Sequence, residues 1–115
     1  MVKTNKDIGK TGEDLSVEFL LNNGFKIVER NYRYKHFEID IIAEKNNCLH
    51  FIEVKYRKTN NYGYPETFVS NSQKERIKIA SENFILEKKW KGNILFDIIS
   101  IENNNKTITI FEDAY

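Results

Sequence analysis

Two runs rich in β-branched residues, Glu38 to Glu44 and Cys48 to Tyr56, flank the triplet Lys45-Asn46-Asn47, whose asparagines suit the backbone of a tight turn. This pattern commits the middle of the chain to a β-hairpin. With Asn46 and Asn47 as the two loop residues, Lys45 lies opposite Cys48, and stepping back along both strands sets Asp40 against Glu53. Because strand side chains alternate between faces, Glu38, Asp40, Ile42, Phe51, Glu53 and Lys55 share one face. Ile39, Ile41, Ile52 and Val54 share the other.

The remaining elements are read outward from the hairpin. Residues 11 to 23 predict a helix, with Thr11 and Asp14 as a weakened capping pair and Leu15, Val17, Phe19, Leu20 and Leu21 as an apolar stripe ended by Gly24. Phe25 to Tyr34 alternate loosely and suit a strand. Asn60 to Asn71, holding Tyr62, Gly63, Tyr64 and Pro65, read as a surface loop. Ser70 with Gln73, or Ser72 with Glu75, offers a capping box for a second helix, whose apolar face is Ile77, Ala80, Phe84 and Ile85 and which runs to about Lys89. Ile94 to Ile101 and Lys106 to Phe111 make two last strands around Asn103-Asn104-Asn105. The order α-β-β-β-α-β-β defines an α/β domain with a central mixed sheet and flanking helices.

The 115 residues suffice for a single domain spanning 1–115, and 40% apolar residues, with eight Phe and six Tyr, supply one core. No stretch approaches the roughly 18 uninterrupted apolar residues of a membrane span, and Met1 to Lys10 has no export character, so no membrane association is expected. A lone Cys48 excludes an internal disulfide framework and a multi-cysteine zinc site, which fits a cytoplasmic protein. Eighteen basic against 17 acidic residues leave a net charge of +1, so only a local concentration of cations could mark a nucleic-acid face.

Chemistry concentrates on the hairpin. Like charges opposed across a sheet are destabilising by up to about 1 kcal/mol, and the isoleucines around Asp40 and Glu53 raise that cost by desolvation. Such a pair calls for a cation between its members. Carboxylate oxygens and a strand carbonyl, with no thiolate or imidazole nearby, suit Mg²⁺ or Mn²⁺ better than Zn²⁺. Lys55, two residues from Glu53, can hold a water or a phosphate oxygen on the same face, and a divalent ion there would activate water and offset charge on a phosphate. The plainer alternative is a cross-strand Glu38–Lys55 ion pair at a sheet edge, with both acids solvated.

A longer series of residues resembles a known family. Gly9, Gly12-Glu13, Gly24-Phe25, Arg30-Asn31-Tyr32-Arg33, Glu38-Ile39-Asp40-Ile41-Ile42, Phe51-Ile52-Glu53-Val54-Lys55-Tyr56-Arg57, Lys74 and Phe96-Asp97 match, in order, the motifs of the bacterial YraN family. That family is similar to archaeal Holliday-junction resolvases. It falls by resemblance in the restriction-endonuclease-like superfamily, whose Asp and Glu-x-Lys motifs bind Mg²⁺ and cleave phosphodiesters. One departure is Phe37, which stands after His36 where the family usually has Gly. The resemblance implies Asp40 and Glu53 as metal ligands, Lys55 as the residue positioning the attacking water, and Glu13 as an additional catalytic acid. Glu13 also has a plainer account, since an acid in a helix's first turn complements the dipole. Gln73 and Lys74 open the helix that covers the site in related nucleases; a cap and a solvated lysine explain them equally.

Arg33, Arg57, Lys58, Lys74 and Arg76 are the expected nucleic-acid-binding cations, joined by Lys35 and Lys78, with Tyr32, Tyr34, Tyr56, Tyr62 and Tyr64 interleaved for stacking. His50, on the face opposite the acids, reads as structural. The expected function is a Mg²⁺-dependent DNA endonuclease, with branched or structured DNA as its candidate substrate; the alternative is a non-catalytic nucleic-acid-binding or adaptor protein that keeps the fold. Resolving a branch takes two cuts, which a homodimer would supply, with the last hairpin or Phe68, Val69 and Trp90 as candidate contact surfaces.

Overall fold

Asn46 and Asn47 both adopt positive φ, 52° and 59°, as a type I′ turn requires of its two central residues. The hairpin register follows from that turn: Lys45 pairs with Cys48, and pairing continues back to Ile41 with Ile52. The computed structural model describes residues 5–57, 69–102 and 107–115, excepting the side chains of 5–11 and 57. Its elements are α1 (Asn5–Asn22), β1 (Lys26–Tyr34), β2 (Phe37–Lys45), β3 (Cys48–Arg57), α2 (Asn71–Lys88), β4 (Asn93–Glu102) and β5 (Ile108–Phe111), in the order the sequence predicts. Most of the loop expected over 60–71, and the turn at Asn103-Asn104-Asn105, lie outside the described residues.

The five strands form one mixed sheet in the order β1-β2-β3-β4-β5. Every neighbouring pair is antiparallel except β3 and β4. A parallel pair needs a crossover, and the segment carrying α2 provides it. One helix covers each face. Under α2 lie Ile42, Leu49, Phe51 and Ile98, packed against Ile77, Ala80 and Phe84 of the helix, with Ile85 partly buried beside them. On the α1 face, Leu20 and Phe25 pack on Ile41, Ala43, Ile52, Ile99 and Ile101. Gly24, at φ 85°, ends α1, and the Phe25 N–H returns to the Leu20 carbonyl.

Four expectations are corrected. Leu21 is 54% exposed and does not extend the α1 stripe, because Ser16 and Leu20, four residues apart, are the residues turned fully inward. Ile39 does not share a face with Ile41. Instead it packs with Ile42 and Phe51 under α2, opposite Tyr32 of β1. On β1 the alternation breaks at Asn31, whose φ is 54°: Arg30 points to α1, and Tyr32 points to α2. Tyr32 is therefore buried, its hydroxyl bonded to Glu87 at 2.5 Å and to Asn83 at 2.7 Å, and it offers no ring for stacking. Val69 is also buried in the core and forms no free contact surface, while Trp90 packs partly buried against that core and bonds the Asn93 carbonyl. Phe68 lies outside the described residues.

Of the two capping pairs, Ser70 with Gln73 is the one used: Ser70 Oγ accepts the Gln73 N–H at 3.1 Å. Ser70→Ala should lower unfolding free energy by about 1 kcal/mol in urea titration. An unchanged midpoint would show that the cap adds nothing to α2.

Candidate active site

The two edges of β3 end differently. Its parallel pairing with β4 runs on to Arg57 with Glu102, whereas its pairing with β2 stops at Ile52. The sheet thus opens between β2 and β3 one residue before Asp40 and Glu53 would have paired. Asp40 turns its carboxylate into this gap, where Oδ2 accepts the Val54 N–H at 2.8 Å. Glu53 Oε1 accepts from Gln73 Nε2 at 2.8 Å and lies 3.6 Å from Lys55 Nζ. Lys55 Nζ in turn lies 3.4 Å from Gln73 Oε1, so the amide of Gln73 bridges acid and lysine. The Glu53 side chain is 11% exposed and that of Lys55 29%, so the acid is nearly dry and the ammonium keeps access to solvent.

These surroundings strain both carboxylates. Burial pushes Glu53 up from 4.5 to about 7, with repulsion from Asp40 adding to it and Lys55 and Gln73 opposing it. Burial also raises Asp40, against the pull of the Val54 N–H; the charges of Glu38 and Glu13 push the same way as burial, and Lys55 opposes them. Two desolvated acids that repel one another, with one lysine beside them, form a site short of positive charge. Among the described residues no three His, Cys, Asp or Glu side chains sit close enough to cage a metal. A divalent ion at Asp40 and Glu53 would complete its shell with backbone oxygen, water or a ligand's phosphate, a donor set that fits Mg²⁺.

The other expected site residues are placed unevenly. Glu13 of α1 accepts from Arg30 Nε and Asn31 Nδ2, each at 3.0 Å, and lies near enough to add its charge to Asp40. The same turn of β1 that buries Tyr32 therefore brings Glu13 toward the pair. Arg33 is paired with Glu38 at 2.9 Å, which replaces the Glu38–Lys55 pair of the plainer reading. Lys74 Nζ lies 5.6 Å from the centre of the Tyr115 ring. Arg76 lines a cleft with His36, Phe37, Glu38, Gln73 and Ile77, so Phe37, where the family usually has Gly, becomes a cleft wall. The Arg57 side chain and all of Lys58 lie outside the described residues.

Sequence reasoning saw Gln73 as no more than a cap or a residue over the site, yet it contacts both Glu53 and Lys55. The signal was its place three residues after Ser70, which fixes which way the first turn of α2 faces. Tyr115 gave no signal at all. His50, read as structural on the face opposite the acids, is buried: its Nδ1 lies 2.5 Å from Asp97 Oδ2, and its ring meets Phe25 edge-on among the α1-face residues.

A five-stranded mixed sheet between two helices, opening over two buried acids and a lysine, defines a small α/β protein with an acid–lysine site. The chain belongs to the family described as Uncharacterised protein family UPF0102, whose pattern matches residues 12–101. This is the YraN family that the motifs resemble. A UPF0102 protein of Cytophaga hutchinsonii is 41% identical over 104 residues, covering 90% of this chain and 92% of that protein. One from Persephonella marina is 44% identical over 98 residues, 84% of each chain. One from Dictyoglomus thermophilum is 48% identical over 98 residues, 84% of this chain and 83% of its own. No helix among the described residues is long and apolar enough to cross a membrane.

Proposed function

We propose that the chain is a Mg²⁺- or Mn²⁺-dependent endonuclease of restriction-endonuclease-like fold that hydrolyses phosphodiesters in DNA in the cytoplasm, with branched or structured DNA as its substrate class. The observation that carries this reading is the pair of acids Asp40 and Glu53, buried where the sheet opens with Lys55 as the cation beside them, held there by Gln73. Carboxylates that repel phosphate serve no purpose in a surface that only binds DNA, and a divalent ion resolves the conflict. Such an ion, held by Asp40 and Glu53, would polarise the phosphate and lower the pKa of water.

The chain's own residues supply the rest. Lys55, partly open to solvent, orients a water or a phosphate oxygen with its ammonium. Gln73 keeps Glu53 and Lys55 in mutual register across the gap between β3 and α2. Arg76, which lines a cleft with Gln73, and Lys74, the neighbour of Gln73 on α2, would meet adjacent phosphates. Two incisions in a four-way junction would take a homodimer with two such sites.

The test is a panel of linear, flapped and four-way DNA incubated with the purified protein in Mg²⁺, in Mn²⁺ and in EDTA. Wild type should cleave at least one substrate in metal and none in EDTA, and Asp40→Ala should cleave none. DNA binding without cleavage on every substrate would sink the nuclease reading and leave a non-catalytic binding or adaptor protein.

A further inference from the structure

Beside the acids the surface is hollow. The turn joining β1 to β2 sets Tyr34 opposite Phe37, with Lys35 at φ 58° and His36 exposed at its tip. His36, Phe37 and Glu38 from this hairpin and Gln73, Arg76 and Ile77 from α2 enclose an open cleft of about 160 Å³. Pockets for drug-sized ligands begin at roughly 300 Å³, so this one suits a single planar ring system.

The cleft is joined to the acid–lysine site from both of its sides. On the α2 side the link is Gln73, which lines the cleft and also contacts Glu53 at 2.8 Å and Lys55 at 3.4 Å. On the hairpin side it is Glu38, two residues before Asp40 and near enough for its charge to act on that acid. A strand with one phosphate at Lys55 therefore carries a neighbouring base toward the cleft.

The walls select what enters. Phe37 is anchored by packing against the α2-face core and presents its remaining surface to the cleft. A ring already held in place offers a base a stacking partner with little left to order. Around it stand one guanidinium, one carboxylate steadied by Arg33 at 2.9 Å, an imidazole, an amide and the apolar Ile77. A second phosphate in the cleft would meet the Glu38 carboxylate and set its own charge against Phe37 and Ile77. A base, neutral and planar with donors and acceptors along its edge, matches this mixture. Within a duplex that edge is paired and both faces are stacked, so the base must be an unpaired one.

We infer that the cleft between the β1–β2 turn and α2 is a base-binding subsite, in which Phe37 stacks on an unpaired base of the strand held at Asp40, Glu53 and Lys55, with His36 beside that base. The inference rests on the nucleic-acid reading above and narrows its substrate to strands with an unpaired nucleotide next to the reacting phosphate.

The test is fluorescence anisotropy, with Ca²⁺ in place of Mg²⁺, on a labelled single-stranded oligonucleotide of mixed sequence and on an abasic chain of the same length and charge. Wild type should bind the base-bearing strand about tenfold more tightly, the gain that stacking of one base gives. Phe37→Leu keeps apolar bulk against the core and should melt near wild type, yet lose most of that difference, whereas Phe37→Trp should retain it. Its affinity for a blunt duplex should equal that of wild type. Equal wild-type affinity for the two chains overturns the subsite and leaves the nuclease reading standing. An undiminished difference in Phe37→Leu also overturns it, placing the stacking elsewhere, as on the exposed Tyr56. An equal loss on the blunt duplex overturns it too, since Phe37 would then support phosphate contacts and not a base. Should the leucine protein melt well below wild type, His36→Ala, at an exposed turn position, takes its place, and an undiminished difference there is the overturning result. No binding of either chain by wild type overturns the inference and the nucleic-acid reading together.

Discussion

Lys55→Ala should cleave DNA about 10²- to 10⁴-fold more slowly than wild type, the range typical of a lost proton-transfer or water-positioning group. Its stabilisation by divalent metal should persist. The two outcomes separate because Lys55 Nζ lies 3.6 Å from Glu53 Oε1 and is not a ligand donor, so its removal leaves both carboxylates in place. It also removes a cation that competes for the same acids. A metal binding only the native state raises the thermal midpoint, so the shift in Mg²⁺ against EDTA reads the carboxylate pair alone. Asp40→Ala should show the reverse pattern: the shift is lost along with cleavage. Wild-type rates in Lys55→Ala would remove the lysine from the mechanism. Loss of the metal shift in Lys55→Ala would mean that the lysine holds the acids in position and does not act on the substrate.

What could be read from sequence follows how local each determinant is. The hairpin was legible because Asn46 and Asn47 set the turn, and the turn sets the register for every pair back to Ile41 with Ile52. Helix α2 was legible because its cap and its apolar face both lie within the helix itself. The gap at Asp40 was not legible, since it arises where β3 leaves β2 and continues alone with β4, a partner more than forty residues along the chain. Nor was the reversal at Asn31, because strict alternation has no way to register one residue at positive φ. That reversal turns Tyr32 into the core while Arg30 and Asn31 bond Glu13. Tyr115 was beyond reach for a similar reason: its place depends on Asp97 capturing the Asp113 N–H from sixteen residues away. Cations were the least legible part of the site. Arg33 could serve a phosphate from sequence alone, and the fold hands it to Glu38.

In the absence of divalent metal, the protein should lose stability as pH rises from about 4.5 to 7, by on the order of 3 kcal/mol, and then level off. The sign follows from Glu53. Its folded value of about 7 exceeds the ordinary 4.5, so within that window the folded chain holds a proton that the unfolded chain has released. Each unit of pH there favours unfolding by up to about 1.4 kcal/mol for this one group, and above pH 7 both states are ionised and the slope vanishes. Asp40 is shifted in the same direction, chiefly by burial, and steepens the lower end of the window. Glu53→Gln mimics the protonated acid and keeps the amide of Gln73 within bonding distance. The difference between wild type and this variant therefore isolates the carboxylate from every other titrating group. Glu53→Gln should be the more stable protein at pH 8 in EDTA and should lack most of the slope. Saturating Mg²⁺ should change the wild-type slope, because the ion binds the ionised pair and stabilises the folded chain more as the proton leaves. Urea titrations at half-unit steps from pH 5 to 8, with EDTA and with Mg²⁺, measure all three. Wild-type stability that rises across this window in EDTA relative to Glu53→Gln would mean that Glu53 is ionised and already neutralised within the protein, which removes the shortage of positive charge on which the metal site rests.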